Sequence, residues 1–157
     1  MKPIQKILVP FDGSPHSSEA VARAADLAHR YQASVLILYV DHPFTYALPE
    51  RYAVGSPEQL ERIREGCFEQ DVALARRDAV SAGAPRVETL VQRGDPLTEI
   101  VRAATDDSFD LIVMGTHGRT GLQRTLLGSI TENVVRRAPC PVLTVRATET
   151  QRAGSQP

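Results

Sequence analysis

The sequence predicts an α/β protein with an open, doubly wound sheet of five parallel strands in the order 3-2-1-4-5 and four helices. Short runs rich in Val, Ile and Leu alternate with longer stretches whose apolar residues recur at helical spacing. The runs ILVP, VLILYV and LIVMG are continuously apolar, as in parallel strands that helices cover on both faces. The length of 157 residues suits one domain. We therefore expect a single domain over 1–146 and a small, polar, disordered tail over 147–157.

Five segments have the composition of strands, and turn residues bound them. They cover residues 4–10, 34–40, 86–92, 110–115 and 142–146. The third alternates Val87, Thr89 and Val91, which indicates a solvated face and a position near one edge of the sheet. In the expected order the fifth strand forms the other edge, and Pro141 before it suits an edge because proline donates no ladder hydrogen bond.

A polar residue followed by proline predicts the start of three helices, because the fixed φ of proline suits the first helical position. The first begins at Ser14-Pro15 and runs to about residue 31, and the second begins at Ser56-Pro57 and runs to about residue 82. The third begins at Asp95-Pro96 and runs to about residue 105. Gln59 follows Ser56 by three residues, which completes a capping-box pattern.

The fourth helix is expected over about 130–137, where Ser129 and Glu132 repeat the capping-box spacing. It ends at Ala138-Pro139. Two connections, 41–55 and 116–127, are longer than the usual two to six residues of a βα loop. Such long connections are more often functional or disordered than simple spacers.

Composition excludes several classes of protein. The 18 basic and 19 acidic side chains give a net charge of -1, which argues against a nucleic-acid or anionic-membrane surface. The only lysines are Lys2 and Lys6, so a P-loop, a protein kinase site and a Schiff-base enzyme each lack a required group. No apolar run reaches the roughly 20 residues of a membrane span, and no signal peptide is visible. Cys67 and Cys140 are expected to be reduced thiols in a cytoplasmic protein.

The predicted winding reverses between the first and fourth strands, where ligands of doubly wound sheets bind. The segments 10–13 and 114–118 should therefore face each other across a crevice. Gly115, Gly118, Gly128 and Ser129 follow the fourth strand, and glycine amides at the start of a helix favour an anion such as phosphate. The alternative is that the glycines form plain turns and that Ser129 only caps its helix.

The spacing Gly115-x2-Gly118-x9-Gly128-Ser129 closely resembles the nucleotide-binding signature of the universal stress protein family. The resemblance also covers the segments ILVPFDGSPHSSEAVARAADLA, LILYV, VQRGDPLTEIVRAA and VVRRAPCPVLTVR, and it is weakest over 41–82 and in the tail. It implies a Rossmann-like fold of the adenine nucleotide alpha hydrolase-like type that binds ATP.

The family resemblance assigns roles to thirteen residues. Asp12 would hold the ribose hydroxyls, although it has the alternative role of bonding the backbone of the Asp12-Gly13 turn. Val40 would contact adenine through its backbone, while Met114 would lie against the base or ribose. His117 is expected to have a structural or adenosine-proximal role instead of acting as a base. The pocket lining would include Pro10 and Phe11, and the phosphate surroundings would include Gly115, Gly118, Arg119, Gly128, Ser129, Ile130 and Thr131.

These observations predict a cytoplasmic, ATP-binding stress-response protein in which the nucleotide orders the 116–127 loop of a homodimer. As in the family, the dimer would form through the last strand, 142–146, and would act on a protein partner that the sequence does not identify. Magnesium would be carried by the nucleotide phosphates, with no protein metal site. The alternatives are a slow ATPase in the same crevice, for which no base or nucleophile pair is evident, and a nucleotide-independent interaction module that uses Phe44, Tyr46 and Tyr52.

Overall fold

The computed structural model describes residues 3–42, 56–118 and 127–147. Strands and helices alternate strictly in this part of the chain: β1 (Lys6–Phe11), α1 (Pro15–Tyr31), β2 (Ser34–Asp41), α2 (Pro57–Ser81), β3 (Arg86–Arg93), α3 (Pro96–Asp106), β4 (Leu111–Gly115), α4 (Ser129–Arg137) and β5 (Val142–Val145). The five strands form one parallel sheet in the order β3-β2-β1-β4-β5, which confirms the predicted fold and winding.

Two hydrophobic clusters cover the two faces of the sheet, because side chains alternate across each strand. On one face, α1 and α2 pack on a set that includes Ile7, Ile37 and Val113. Tyr39 of this face stacks on Phe68 of α2 with ring centroids 4.8 Å apart. On the other face, α3 and α4 pack on Leu8, Leu38, Val40, Ile112 and Met114. Val40 and Met114 therefore lie on the α3/α4 face of the sheet.

The first three helices begin where the sequence predicts, and each has a side-chain cap. The Ser14 hydroxyl accepts a hydrogen bond from the amide of Ser17 at 3.2 Å. Ser56 and Gln59 form the predicted capping box. An oxygen of Asp95 accepts from the amide of Thr98 at 2.9 Å. Each such cap contributes about 1 kcal/mol.

The fourth helix differs from its prediction. The N-cap is Gly128, so Ser129 is already the first helical residue and its side chain makes no capping hydrogen bond. The amide of Gly128 donates to the carbonyl of Thr116 at 2.7 Å, and the carbonyl of Gly128 accepts from Glu132. The predicted Ser129–Glu132 capping box is therefore wrong, because this contact with the end of β4 fixes the helix start one residue earlier.

The edges of the sheet are β3 and β5, as predicted. Leu90 and Val91 of β3 are both exposed, as is Leu143 of β5. Ala147, which the sequence interpretation assigned to the tail, is buried, and its amide donates to Nδ1 of His16 at 2.9 Å. Residues 148–157 lie outside the described part of the chain.

Both cysteines, Cys67 and Cys140, are partly buried free thiols. Burial raises the pKa of the Cys140 thiol. Among the described helices, none combines the length and the apolar character that a membrane crossing requires.

Candidate functional site

A cleft of about 350 Å³ opens at the carboxyl ends of β1, β2 and β4, between the N-terminal ends of α3 and α4. The structure brings twelve of the thirteen predicted residues to its lining: Pro10, Phe11, Asp12, Val40, Met114, Gly115, His117, Gly118, Gly128, Ser129, Ile130 and Thr131. Arg119, the thirteenth, and Arg124 lie outside the described residues. Six lining residues were not predicted: Ser17, Leu38, His42, Asp95, Pro96 and Ile100.

The inner wall of the cleft is apolar. Leu38 and Val40 of β2, Met114 of β4 and Ile100 of α3 are buried in the hydrophobic cluster of this face and also line the cleft. These side chains give the cleft an apolar wall of the kind that packs against a ligand ring.

The backbone of Val40 is well placed to meet a ligand. The amide of Ser34 donates to Gln5, so alternation directs the even-numbered residues of β2 toward β1. The register between these strands ends with Phe11 opposite Tyr39. The carbonyl of Val40 therefore points past the last paired residue of β1, at the edge of the cleft.

Asp12 follows β1 and has one oxygen in the turn before α1. Its Oδ1 accepts from the amide of Ser14 at 3.0 Å, and Gly13 between them has a φ of 77°, which favours glycine. Its Oδ2 lies 2.9 Å from the position that a Cβ on Gly118 would occupy. The turn-forming alternative therefore holds for one oxygen, while the other is directed toward the glycine segment after β4.

The three motif glycines in the described residues have no left-handed φ, so close approach explains them better than backbone freedom. A Cβ on Gly115 would lie 2.8 Å from the Cβ of His16, because α1 packs tightly on β4. A Cβ on Gly128 would lie 3.3 Å from the carbonyl oxygen of Thr116. Gly115 thus permits the packing of α1 on β4, Gly118 leaves room for the Asp12 carboxylate, and Gly128 permits the close approach of α4 to the end of β4.

The N-terminus of α4 presents backbone amides to the cleft. The first four amides of an α-helix have no partner within the helix, and here no side chain caps them. Ser129, Ile130 and Thr131 of this first turn all line the cleft. The buried hydroxyl of Thr131 donates to the carbonyl of Gly115 at 2.9 Å and so fixes α4 to the end of β4. This end of the cleft has the geometry and the dipole for an anion.

The histidine pair beside the cleft links it to the end of β5. His117 lies with Nδ1 3.1 Å from the hydroxyl of Thr116, and its ring is 5.6 Å from that of His16. His16 in turn accepts the amide hydrogen of Ala147. Among residues 3–42, 56–118 and 127–147, no three His, Cys, Asp or Glu side chains are grouped to hold a metal ion.

An ion-pair network lies at the carboxyl ends of β2 and β3. The buried carboxylate of Asp41 pairs with Arg64 of α2 and, at 3.0 Å, with Arg93 of β3. Both arginines also pair with Glu61. The hydrogen bond from Arg64 holds the pKa of the Asp41 carboxyl below its usual value of 3.8, despite the opposing effect of burial. The network attaches the first half of α2 to the sheet beside the cleft.

The family model for the universal stress protein family matches residues 3–146. The chain belongs to this family. A universal stress protein of Methanocaldococcus jannaschii is 39% identical over 144 residues, which cover 90% of this chain and 82% of the relative. The universal stress protein UspA from Lactobacillus plantarum has a TM-score of 0.78 at 30% identity, covering 93% of this chain and 100% of that one.

A second solved structure is a universal stress protein in complex with cAMP. It has a TM-score of 0.71 at 27% identity and covers 94% of this chain and 100% of that one. A protein of the same fold therefore binds an adenine nucleotide. The matches agree with the fold described above and with the family that the sequence resembles.

Proposed function

We propose that this universal stress protein is a cytoplasmic regulatory protein that binds ATP in the cleft between α3 and α4. The observation that carries the proposal is the uncapped N-terminus of α4, which lies at one end of a cleft with an apolar inner wall. The cAMP complex of a protein with the same fold supports an adenine nucleotide. The free thiols Cys67 and Cys140 suit a reducing compartment.

The cleft offers a separate surface to each part of ATP. The adenine ring would lie on Val40 and Met114, with the Val40 carbonyl at its edge. The Asp12 carboxylate would accept hydrogen bonds from the ribose hydroxyls. The phosphates would accept hydrogen bonds from the amides of Gly118 and of the first turn of α4, and any magnesium would be carried by the phosphates. No lysine is needed, because backbone amides supply the donors.

The expected affinity is micromolar. Hydrogen bonds to a charged group contribute about 1.5–3 kcal/mol each. Three or four of them, together with the apolar contacts of the base and set against the cost of association, reach the roughly 8 kcal/mol of a micromolar complex. We propose that the protein holds the nucleotide without efficient turnover, since the cleft supplies donors and apolar walls and its one carboxylate near the glycines, Asp12, is engaged in a turn.

Isothermal titration calorimetry with ATP tests the proposal on wild type, Gly128→Val and Gly66→Ala. Valine at 128 would crowd the Thr116 carbonyl at the phosphate end, whereas an added Cβ at Gly66 of α2 has no neighbour within 4 Å. We expect binding by wild type and Gly66→Ala and at least tenfold weaker binding by Gly128→Val. Absence of binding by the wild type, or equal affinities for all three, would contradict the proposal.

We further propose that ATP orders the 116–127 segment and thereby changes what the protein presents to a protein partner. The two ends of the segment, Gly118 and Gly128, both line the cleft, so bound phosphates would contact both. Trypsin cleaves after arginine, and Arg119 and Arg124 lie between these ends. ATP should slow cleavage at both sites by several-fold, and an unchanged cleavage rate at saturating ATP would count against ordering.

The homodimer is proposed to form through β5, an edge strand on which Leu143 is 41% exposed. An edge strand has unpaired backbone groups that can pair with a second copy. Leu90 on the opposite edge, β3, is 39% exposed and provides a matched control. In sedimentation velocity, Leu143→Glu should be monomeric while wild type and Leu90→Glu remain dimeric. The reverse pattern would assign the dimer to β3.

A further inference from the structure

The two ends of the cleft differ in charge. At one end, α4 begins without a side-chain cap and offers amides to an anion. At the other end, α3 begins with the carboxylate of Asp95, which caps its own helix. A phosphate group would be repelled by this carboxylate and attracted to α4. A nucleotide in the cleft would therefore place its phosphates toward α4 and its base toward α3.

Asp95 has acceptor capacity left over from its capping role. Both hydrogen bonds that it makes within the described residues use Oδ2, which accepts from the amide of Thr98 at 2.9 Å and from its hydroxyl at 2.8 Å. The other oxygen, Oδ1, makes none of these bonds, and Asp95 lines the mouth of the cleft. An ionised carboxylate only accepts hydrogen bonds, so a ligand group that bonds to Oδ1 must be a donor.

The carboxylate is ionised at neutral pH. The amide of Thr98 and then its hydroxyl lower the pKa of the Asp95 carboxyl, and the nearby charges of His42 and Arg137 act in the same direction. His42 follows β2 and lines the same part of the cleft. Asp95 therefore presents a fixed negative charge where the edge of a bound base would lie.

The apolar wall determines which part of the base can reach this charge. Ile100 of α3 and Leu38 and Val40 of β2 are buried in one hydrophobic cluster and line the same cleft as Asp95. A purine with its faces on these side chains has its polar edge near the mouth. Adenine has a donor there, the exocyclic 6-amino group, whereas a 6-oxopurine has a carbonyl oxygen that a carboxylate repels.

We propose that Asp95 is a specificity-determining residue that selects 6-aminopurine over 6-oxopurine nucleotides, with Oδ1 accepting a hydrogen bond from the exocyclic amine. Asp95 can act in this way only if the cleft binds a nucleotide, so the inference rests on the proposed function. His42 lies beside the carboxylate and helps to keep it charged.

The test compares ATP with inosine triphosphate, which has an oxygen in place of the 6-amino group, on wild type and two variants. Asp95→Asn keeps an equally good N-cap and offers an amide that can donate to the 6-oxo group. Asp106→Asn removes the same charge from the opposite end of α3 and is the matched control. Thermal unfolding of each variant confirms that the helix is intact.

We expect the wild type and Asp106→Asn to prefer ATP by about tenfold, as loss of one hydrogen bond to an exposed charged group implies. In Asp95→Asn the ratio of the two affinities should fall at least tenfold, with weaker ATP and tighter inosine triphosphate binding. If the wild type binds ATP and the ratio is the same in Asp95→Asn, the role of Asp95 is overturned and the proposed function stands. If the wild type binds neither nucleotide, both are overturned.

Discussion

The substitution Gly118→Ala separates nucleotide affinity from folding. A Cβ at this position would lie 2.9 Å from Oδ2 of Asp12, closer than a Cβ normally approaches another heavy atom, and among the described residues it would meet nothing else within 4 Å. The carboxylate is at the end of a flexible side chain, so the added methyl group displaces it without moving the backbone. Asp12 would then no longer be positioned for the ribose.

The expected loss of ATP affinity follows from the hydrogen bond between Asp12 and the ribose. Loss of one hydrogen bond between the ribose and the charged Asp12 costs about 1.5–3 kcal/mol, which corresponds to roughly tenfold to a hundredfold weaker ATP binding. The fold should be almost unaffected, because Gly118 has no left-handed φ. Replacing such a glycine by alanine stabilises a protein by up to about 1 kcal/mol, because alanine lowers the conformational entropy of the unfolded chain. Affinity therefore falls while the free energy of unfolding stays equal or rises slightly.

Calorimetry with ATP and with 2′,3′-dideoxy-ATP identifies the cause of the loss. The dideoxy nucleotide lacks both ribose hydroxyls, so the wild type and Gly118→Ala should bind it with equal affinity. An equal loss of affinity for both nucleotides would mean that the methyl group blocks the phosphates instead of displacing Asp12. Unchanged ATP affinity in Gly118→Ala would refute the assignment of Asp12 to the ribose.

Three further substitutions, with Ser56→Ala as a control for the last, test the packing, the ion-pair network and the α4 terminus. Gly115→Ala should destabilise the fold by roughly 1–3 kcal/mol in urea unfolding, because its Cβ would lie 2.8 Å from that of His16; an unchanged midpoint would contradict the tight α1–β4 contact. Asp41→Asn should cost about 3 kcal/mol at pH 7. Because folding lowers the pKa of the Asp41 carboxyl, the stabilisation by its ion pairs is complete at pH values above its usual pKa of 3.8. This stabilisation is lost as the pH falls through the lower pKa of the folded state. The unfolding curves of the variant and the wild type should therefore converge in acid. Ser129→Ala should leave the unfolding free energy within about 0.5 kcal/mol of wild type, because the Ser129 hydroxyl caps no amide, and should weaken ATP binding about tenfold, because that hydroxyl would donate to a phosphate beside the backbone amides. Ser56→Ala, which removes a true cap, should cost about 1 kcal/mol and leave ATP binding unchanged.

Local patterns in the sequence account for most of the fold. The continuous apolar runs specify buried parallel strands, and three polar-proline pairs specify helix starts that the structure places at the predicted residues. Strand ends differ from prediction by no more than two residues; β1, for example, is Lys6–Phe11 where 4–10 was predicted. The order of the strands follows from the handedness of parallel crossovers, which leaves few windings for five alternating units.

The start of α4 shows where local patterns fail. Ser129 and Glu132 have the same spacing as Ser56 and Gln59, yet only the second pair forms a capping box. The difference is the hydrogen bond from Gly128 to Thr116, which joins residues twelve apart and depends on how the end of β4 meets the helix. A pattern of four residues carries no information about such a contact.

Asp95 and Ile100 were missed as cleft residues for a related reason. The crossover from β3 to β4 carries α3 over β2 and β1, because β3 is at the edge and β4 lies beyond β1. The N-terminus of α3 therefore reaches the cleft although β3 does not. The winding order contained this signal, since a helix that follows an edge strand and leads back across the sheet must pass the point where the order reverses.

The contrast between α4 and the other helices shows where a chain with lysines only at positions 2 and 6 offers donors for the proposed phosphate. The helices α1, α2 and α3 each satisfy an N-terminal amide with their own Ser14, Ser56 or Asp95. At α4 the cap is Gly128, which has no side chain to offer, and the fold forgoes only a few tenths of a kcal/mol of stability relative to a polar cap. The amides left without a side-chain acceptor lie at a helix start whose first three residues, Ser129, Ile130 and Thr131, line the cleft. A bound phosphate would complete the cap, so nucleotide binding and the stability of α4 are coupled through the same backbone groups.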